Sequence, residues 1–347
     1  MAEAITRSAL YRTIQRQPSD WQALLAQDSA ALDTVAARLA GARRVLLAGI
    51  GTSHHAAQLG AFLLRAAGRE AWAVASPDLA VYPFGLGPND AVIVISHRGT
   101  KRYSVQAVER AKAAGAWCLG ITGQGSPLAG PGQVLFTVPQ EQSSTHTASY
   151  TGALIVLAQL AARLGAAELG PALPALPDQA REVLRQEGAL RAWTQALPRA
   201  TRLVYTGGGL NGWTALEGAL KAKEAAYVTA EGMALETLLH GPLVGLEPGD
   251  QLILVNPAGP FQDRAAEIAS AVRGIGLGLY WIGLPPRGAE DAPGLPLPET
   301  PELLSPLLAV LPLQLLAAYL AEARGTNPDS FRLDVETYAR AIKPIQL

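Results

Sequence analysis

The same layout occurs twice along this chain: a short apolar run, a glycine-rich turn and then a helical stretch. In the first half the apolar run covers residues 44–48, the turn 49–53 and the helical stretch 54–67. In the second half the run covers residues 202–206, the turn 207–212 and the helical stretch 213–227. Further apolar runs separated by helical patterns lie at residues 91–96, 117–122, 251–256 and 277–282. Continuous apolar runs that alternate with helices predict parallel strands covered on both faces. The expected fold class is α/β, with two doubly wound parallel sheets in tandem, each a three-layer αβα domain.

A stretch rich in proline and glycine separates the two halves and is typical of a linker. The predicted organisation is an N-terminal helical arm over residues 1–40, a first domain over 41–164, a linker over 165–180, a second domain over 181–325 and a C-terminal tail over 326–347. The 347 residues are enough for two cores of this size. Within the arm, Ser19 or Asp20 is predicted to cap a helix that begins after Pro18.

The composition argues against several classes of function. The net charge is −1 and no block of like charge occurs, which argues against a protein that binds nucleic acid through its phosphates. A single cysteine, Cys118, rules out an intramolecular disulfide, and its apolar neighbours predict a buried, inert thiol. No Cys/His cluster has the spacing of metal ligands, so neither a metal nor a cofactor is expected.

Two features predict a cytoplasmic protein without a membrane partner. The N-terminus lacks a basic start leading into an apolar core, so no secretory signal is expected. The longest apolar stretch, residues 303–320, is interrupted by Pro306 and Pro312. This stretch predicts a buried core helix better than a membrane span.

Two turns carry the residues suited to an anionic ligand. The first turn contains Gly51, Thr52 and Ser53 and joins a predicted strand to a helix. The free backbone amides at the N-terminus of such a helix can bind phosphate. The second follows the run 91–95 and offers hydroxyls and cations at one strand end: Ser96, His97, Arg98, Thr100 and Lys101. Ligands of open parallel sheets bind beyond the carboxyl ends of the strands, which favours a binding site over a solvated loop.

A third cluster lies on the helix predicted over residues 213–227. Glu217, Lys221 and Glu224 are spaced i, i+4 and i+7, so they share one face, and the lysine can pair with either carboxylate. A surface ladder of ion pairs is the ordinary explanation of such a pattern. The surrounding alanines and leucines instead predict a mostly buried helix, whose charges need partners or a ligand.

Longer motifs give the chain a family resemblance. The stretch 215–224, which reads Ala-Leu-Glu-Gly-Ala-Leu-Lys-Ala-Lys-Glu, is followed by His240-Gly241-Pro242. Together with 311–317 and 324–326, these motifs resemble the sugar isomerase (SIS) domain family, and within it the isomerase half of glucosamine-6-phosphate synthase. The resemblance extends from Gln17-Pro18 onward and covers nearly the whole chain. It implies two flavodoxin-like SIS domains in tandem.

The resemblance also implies roles for individual residues. Glu224 matches the base that moves a proton between C1 and C2 of an open-chain sugar, and His240 matches the histidine assigned to ring opening. Lys343 matches a tail lysine that reaches over the substrate. Ser53, Ser96 and His97 match positions of the phosphate-binding turns. A homodimer is implied as well, since SIS sites are commonly completed by a second subunit.

The chain departs from the family pattern at several places. Arg98 and Lys101 stand where the family has serine and threonine, so the anionic end of the ligand is expected to be held differently. Three residues before the histidine the family usually has Glu; here Thr237 stands there, with Glu236 one position earlier. Extra residues precede Lys343. No N-terminal cysteine nucleophile is present, so no glutaminase activity is expected.

These features predict an isomerase or a deaminase of a hexosamine or ketohexose 6-phosphate, working by proton transfer between C1 and C2. Two alternatives stay open. A deglycase that cleaves a phosphorylated sugar–amine adduct needs the same proton shuttle. A non-catalytic regulator that binds a sugar phosphate is the alternative from another class, although the first 40 residues lack the basic character of a DNA-binding element.

Overall fold

A computed structural model describes residues 5–27, 29–128, 134–195, 197 and 202–345. The chain divides into two compact units, which are treated separately below. The first unit comprises Arg16–Gln142, His146–Pro177 and Leu333–Leu347. The second unit comprises Met1–Gln15, Ser143–Thr145 and Asp178–Arg332.

The elements alternate between helix and strand in both halves of the chain. As far as the first sheet and the helices after it, they are α1 Ala9–Leu25, α2 Ser29–Ala40, β1 Arg44–Gly49, α3 Thr52–Ala66, β2 Ala71–Ala75, α4 Ser76–Val81, β3 Asp90–Ile95, α5 Arg102–Ala113, β4 Trp117–Thr122, β5 Val134–Phe136, α6 Ala148–Leu164, α7 Leu169–Ala172, α8 Leu176–Leu184 and α9 Glu187–Trp193. The remaining elements are β6 Leu203–Gly207, α10 Asn211–Ala226, β7 Ala230–Ala234, α11 Leu235–Leu239, β8 Gln251–Asn256, α12 Gln262–Ile275, β9 Gly278–Gly283, β10 Gly294–Pro296, α13 Ser305–Arg324 and α14 Glu336–Ile342.

Each unit contains one five-stranded parallel sheet, and the two sheets have the same strand order. The order is β2-β1-β3-β4-β5 in the first unit and β7-β6-β8-β9-β10 in the second. In the first sheet the chain goes from β1 to the edge strand β2 and then to β3, on the other side of β1. In the second sheet it goes from β6 to the edge strand β7 and then to β8, on the other side of β6. The direction of the strand order therefore reverses between β1 and β3 and between β6 and β8. The predicted α/β class with two parallel sheets is confirmed, and ligands of such sheets bind at these switch points.

Helices cover both faces of the second sheet. Val204 and Tyr205 are consecutive residues of β6, so their side chains point to opposite faces. On the Val204 side, α11 and α12 pack in a cluster that contains Leu235, Leu238, Ala265 and Ile268. On the Tyr205 side, α10 approaches so closely that a Cβ at Gly218 would lie 3.2 Å from the Tyr205 ring and 2.7 Å from Leu313 of α13. Helices α10 and α11 therefore lie on opposite faces of this sheet.

Helix α13 is the core helix expected from the long apolar stretch. The segment Glu302–Arg324 is long and apolar enough to cross a membrane, but 94% of its most apolar window is buried inside the fold. Pro312 lies within the helix, and Gln314 is fully buried beside it. Cys118 is also buried, and burial raises the pKa of its thiol to about 11, as expected of an inert residue.

The predicted cap at Ser19 or Asp20 is wrong, because α1 continues through Pro18 to Leu25. Asp20 pairs instead with Arg16 one turn earlier, at 3.0 Å. Trp21, which is fully buried, donates a hydrogen bond from Nε1 to Oγ1 of Thr151 at 3.1 Å. Packing of one apolar face thus extends the helix across a residue that tends to end one. The segment predicted as a linker, residues 165–180, contains α7 and the start of α8.

Candidate functional site

The first predicted ligand turn joins β1 to α3 in the first unit. A Cβ at Gly49 would lie 2.2 Å from the carbonyl oxygen of Ser53, so only glycine lets the helix start this close to the strand. Gly51 has a φ of 54°, and among the described residues no atom beyond its two chain neighbours lies within 4 Å of where its Cβ would be. Thr52 and Ser53 are half-buried at the start of α3. The turn therefore presents a helix N-terminus and two hydroxyl residues beside open space.

The second predicted turn follows β3 and ends at α5. Ser96 and His97 are buried, whereas Arg98 and Thr100 are exposed and Lys101 is half-buried. Burial, and then the charge of Arg98, lowers the pKa of Lys101. Within the part of the chain that the structure describes, neither Arg98 nor Lys101 is seen in an ion pair with a carboxylate. Two neighbouring cations without a counter-charge favour an anionic ligand.

The two turns lie next to each other. They follow β1 and β3, which are hydrogen-bonded neighbours with Ala48 opposite Val94 near their carboxyl ends. This is also the switch point of the first sheet. The structure therefore brings together the residues predicted for an anionic ligand: Gly51, Thr52, Ser53, Ser96, Arg98, Thr100 and Lys101.

His97 is anchored to the neighbouring loops rather than exposed in the turn. Its Nε2 accepts the backbone N–H of Glu141 at 3.0 Å, and its carbonyl oxygen accepts Nε2 of Gln140 at 3.1 Å and the N–H of Gly123 at 2.9 Å. Burial lowers the pKa of His97, although the charge of Glu141 acts in the opposite direction. A neutral ring leaves Nδ1 as the proton-bearing nitrogen, and Nδ1 is buried with no hydrogen-bond partner among the residues that the structure describes.

Glu141 is a structural member of this site that the sequence did not reveal. Its carboxylate accepts the backbone N–H groups of Thr147 at 2.9 Å, Ala148 at 3.2 Å and Ser149 at 2.9 Å, at the start of α6. Burial would raise the pKa of Glu141, but the charge of His146 and these hydrogen bonds hold it below its usual value. An ionised Glu141 therefore caps α6 and, through its own N–H, fixes His97.

The equivalent turn of the second unit is closed by an aromatic ring. A Cβ at Gly208 would lie 2.4 Å from Cβ of Phe261, and one at Gly209 would lie 2.8 Å from Cε2 of the same ring. The loop after β8 offers asparagine, prolines and phenylalanine where the first unit offers hydroxyls and cations. Of the two switch points, the first is the one suited to an anion.

Glu217, Lys221 and Glu224 form a buried network on α10. Their side chains are 0%, 1% and 14% exposed. Nζ of Lys221 lies 3.4 Å from Oε1 of Glu217 and 2.5 Å from Oε2 of Glu224. This excludes the surface ladder, and it makes Glu224 the member of the network that is open to a ligand, with Lys221 and Glu217 behind it.

The last turn of α10, which carries Glu224, is held by the segment after α13. Oγ1 of Thr326 donates to the carbonyl oxygen of Ala225 at 2.8 Å, and Nε of Arg324 donates to that of Ala226 at 3.0 Å. These bonds satisfy carbonyls that a helix end otherwise leaves without partners. The next residue, Tyr227, has a φ of 54°, which ends the helix at once. The backbone that carries Glu224 is thus fixed in position.

His240 follows α11 and is 77% exposed. Its Nε2 lies 3.5 Å from Oε2 of Glu236, so the carboxylate that faces it belongs to the residue four positions earlier. The following Gly241 has a φ of 134°, which only glycine adopts without strain. Because α10 and α11 lie on opposite faces of the second sheet, one chain does not bring its own Glu224 and His240 together.

Lys343 lies directly after α14 in the first unit. Its backbone N–H donates to the carbonyl oxygen of Ala339 at 3.1 Å, and the residue is exposed. Among the described residues, no group of three or more His, Cys, Asp or Glu side chains could hold a metal ion.

Comparison of the sequence with known proteins identifies the family. Residues 38–163 match the SIS domain. The chain is 32% identical over 298 residues to a glutamine–fructose-6-phosphate aminotransferase (isomerizing) of Pyrococcus horikoshii, a match that covers 82% of the chain and 50% of the relative. It is 31% identical over 342 residues to the corresponding protein of Thermococcus kodakarensis, with 93% and 56% covered. The chain thus spans about half the length of these curated relatives.

Solved structures share the fold. The C-terminal domain of glucosamine–fructose-6-phosphate aminotransferase from Francisella tularensis has a TM-score of 0.86 at 19% identity, covering 93% of this chain and 98% of that one. Tagatose-6-phosphate ketose/aldose isomerase from Escherichia coli has a TM-score of 0.81 at 21% identity, covering 95% and 96%. Glucosamine-6-phosphate deaminase from Thermotoga maritima has a TM-score of 0.78 at 19% identity, covering 93% and 97%.

Proposed function

We propose, from the premise that this chain belongs to the SIS domain family and is related to the glutamine–fructose-6-phosphate aminotransferases, that it is a cytoplasmic isomerase or deaminase of a hexosamine or ketohexose 6-phosphate. The observation that carries the proposal is the buried network of Glu217, Lys221 and Glu224. A carboxylate at the open end of such a network suits proton transfer better than it suits stability.

Glu224 acts as the base in this proposal. It takes the proton from C2 or C1 of the open-chain sugar and returns it to the other carbon. Lys221 at 2.5 Å keeps the carboxylate ionised and fixes its direction. The same step serves aldose–ketose isomerisation and the release of ammonia from an amino sugar, so the two reactions share one set of residues.

The turns of the first unit are proposed to bind the phosphate. Ser53, Ser96 and Thr100 supply hydroxyls, and Arg98 and Lys101 supply the charge. Within the described residues neither Arg98 nor Lys101 pairs with a carboxylate, which supports this role, because a phosphate dianion then meets two cations that no described carboxylate neutralises. Lys343 is proposed to reach the substrate from the tail.

A homodimer is part of the proposal. Glu224 and His240 of one chain lie on, or directly after, helices that cover opposite faces of the second sheet, so the sheet stands between them. A site that uses both residues therefore takes Glu224 from one chain and His240 from a second copy. Mixing an inactive Glu224→Gln variant with an inactive His240→Ala variant tests this pairing, because mixed dimers regain one complete site.

The proposed function is tested with a panel of hexose and hexosamine 6-phosphates, following aldose–ketose conversion and ammonia release together. Conversion without ammonia identifies an isomerase, and ammonia with a ketose phosphate identifies a deaminase. Amine release from a phosphorylated sugar–amine adduct alone identifies a deglycase. Binding without turnover of any compound would contradict the enzyme proposal and identify a sensor.

Replacing Arg98 by Ala is expected to weaken binding of a phosphorylated sugar about 10–150-fold, which is the effect of losing about 1.5–3 kcal/mol of charge-assisted hydrogen bonding. The unphosphorylated sugar should bind as before. Isothermal titration with both ligands measures this difference. Lys112→Ala, at the far end of α5, is the matched control and should change neither affinity. Equal losses for both ligands in the Arg98 variant would show that Arg98 does not contact the phosphate.

Replacing His240 by Ala is expected to slow turnover of a cyclic sugar phosphate much more than proton exchange on a 5-deoxy ketohexose 6-phosphate, the 5-deoxy analogue, which cannot close the ring. The reason is that a histidine near neutral pH can carry the proton that ring opening transfers. The two rates are measured by NMR on the same enzyme sample. If both rates fall equally, His240 orients the site and does not open the ring.

A further inference from the structure

Glu236 lies between His240 and an arginine of a neighbouring helix. Arg264 of α12 donates two hydrogen bonds to the carboxylate of Glu236, from Nε to Oε1 at 2.6 Å and from Nη2 to Oε2 at 2.9 Å. The third arginine nitrogen, Nη1, bonds to Oε2 of Glu267 at 2.5 Å. A bidentate interaction of this kind fixes the plane of a carboxylate as well as its position.

The held carboxylate faces the ring of His240. Oε2 of Glu236 lies 3.5 Å from Nε2 of His240, and both residues lie on one side of α11 at i, i+4 spacing. The hydrogen bonds from Arg264 hold the pKa of Glu236 below its usual value, so the carboxylate is an anion. An anion only accepts hydrogen bonds, so Nε2 is the donor to Glu236, and Nδ1 is the ring nitrogen that can accept a proton from a ligand.

We propose that Glu236, fixed by Arg264, is the positioning residue for His240 and that Nδ1 is the nitrogen that transfers the proton in ring opening. Nδ1 takes the proton from the O1 hydroxyl while the O1 electron pair forms the C1 carbonyl. The C1–O5 bond breaks, its electron pair stays on O5, and Nδ1 returns the proton to O5. Glu236 stabilises the imidazolium that exists between the two transfers, as the third group of a catalytic relay does. This inference rests on the ring-opening role in the proposed function.

The arrangement also explains how this chain tolerates threonine three residues before the histidine, where its family has glutamate. On a helix, the residues three and four positions before His240 both face it. A glutamate at position 236 therefore supplies the carboxylate that position 237 does not. Arg264 and Glu267 are the charged groups that α12 contributes to this cluster.

Glu236→Gln in the full-length chain tests the proposal. We expect kcat for a cyclic hexose 6-phosphate to fall about 5–20-fold with little change in KM, while proton exchange on the 5-deoxy analogue keeps its rate. Glu267→Gln is the matched control, since it removes the other carboxylate on Arg264 without touching His240, and it should leave both rates unchanged. In a His240→Ala background, Glu236→Gln should have no further effect, because it acts through the histidine.

A rescue variant distinguishes a role of Glu236 in positioning His240 from a role in the stability of the protein alone. The double variant Glu236→Gln, Thr237→Glu moves the carboxylate by one residue on the same helical face and should recover most of the lost kcat. A fall in both rates, an added loss in the His240→Ala background or a failed rescue in a folded protein would overturn the proposal. If His240→Ala itself leaves ring opening intact, the role proposed for His240 fails first; if His240→Ala slows ring opening and Glu236→Gln does not, only the present inference fails.

Discussion

Replacing Glu224 by Gln lowers solvent-deuterium exchange at C2 of the bound sugar phosphate by about 10²–10⁴-fold, the usual contribution of a positioned general base. The amide keeps the shape of the side chain, and its oxygen can still accept the hydrogen bond from Lys221, which lies 2.5 Å from the carboxylate. What it loses is the ability to take a proton. Ligand affinity therefore changes little, and the loss lies in kcat.

NMR measures this exchange directly, in D₂O, with the substrate identified by the sugar-phosphate panel. Glu231→Gln is the matched control: it makes the same change at an exposed position of the edge strand β7, and it should exchange at the normal rate. Undiminished exchange in a folded, sugar-bound Glu224→Gln protein would remove Glu224 as the base and place the sensor alternative first.

The central strands were predictable because they are buried on both faces. The apolar runs at 117–122 and 251–256 coincide with β4 and β8, and the other central strands begin and end within one residue of prediction. None of the four edge strands, β2, β5, β7 and β10, was predicted. β7 consists of Ala, Glu, Gly, Met and Ala, which has no strand pattern of its own, and it is a strand because β6 pairs with it residue by residue from Leu203 to Gly207.

In the candidate site, too, features that depend on consecutive residues could be predicted, whereas features that depend on residues distant in sequence could not. The hydroxyls and cations of the two ligand turns were found because their chemistry lies in consecutive residues after a strand. Glu141 was missed because its partners are backbone amides six to eight residues away, and any sequence offers such amides. The closure of the second turn by Phe261 depends on a ring that arrives from another loop, about 50 residues later.

The separation of Glu224 from His240 shows most clearly that a sequence motif does not give the spatial arrangement of its residues. The two residues are only 16 positions apart, and the motif presents them as one signature. One strand, β7, stands between their helices, and the connection before it and the connection after it pass on opposite faces of the sheet. Proximity in sequence therefore does not place the two residues together in a single chain.

Removing the cation of the α10 network is expected to destabilise the protein and to change its pH response together. Lys221→Ala leaves Glu217 and Glu224 without their shared partner in a buried site, and breaking a buried pair in this way costs about 3–5 kcal/mol of unfolding free energy near pH 7. Without the lysine, the carboxylates take up protons at higher pH. The acid limb of the pH–rate profile therefore moves to higher pH.

The sign of the stability effect follows from the same proton uptake. In the variant, the folded state binds protons more readily than the unfolded state, so its stability relative to the parent protein is best at low pH and declines as pH rises. Urea unfolding at several pH values, with the pH–rate profile of C2 exchange, measures both effects. Lys223→Ala, an exposed lysine on the same helix, is the control and should leave both curves in place. A Lys221 variant whose stability deficit is the same at pH 5 and pH 8 would show that the lysine contributes packing alone and does not hold Glu224 in its ionised, proton-accepting form.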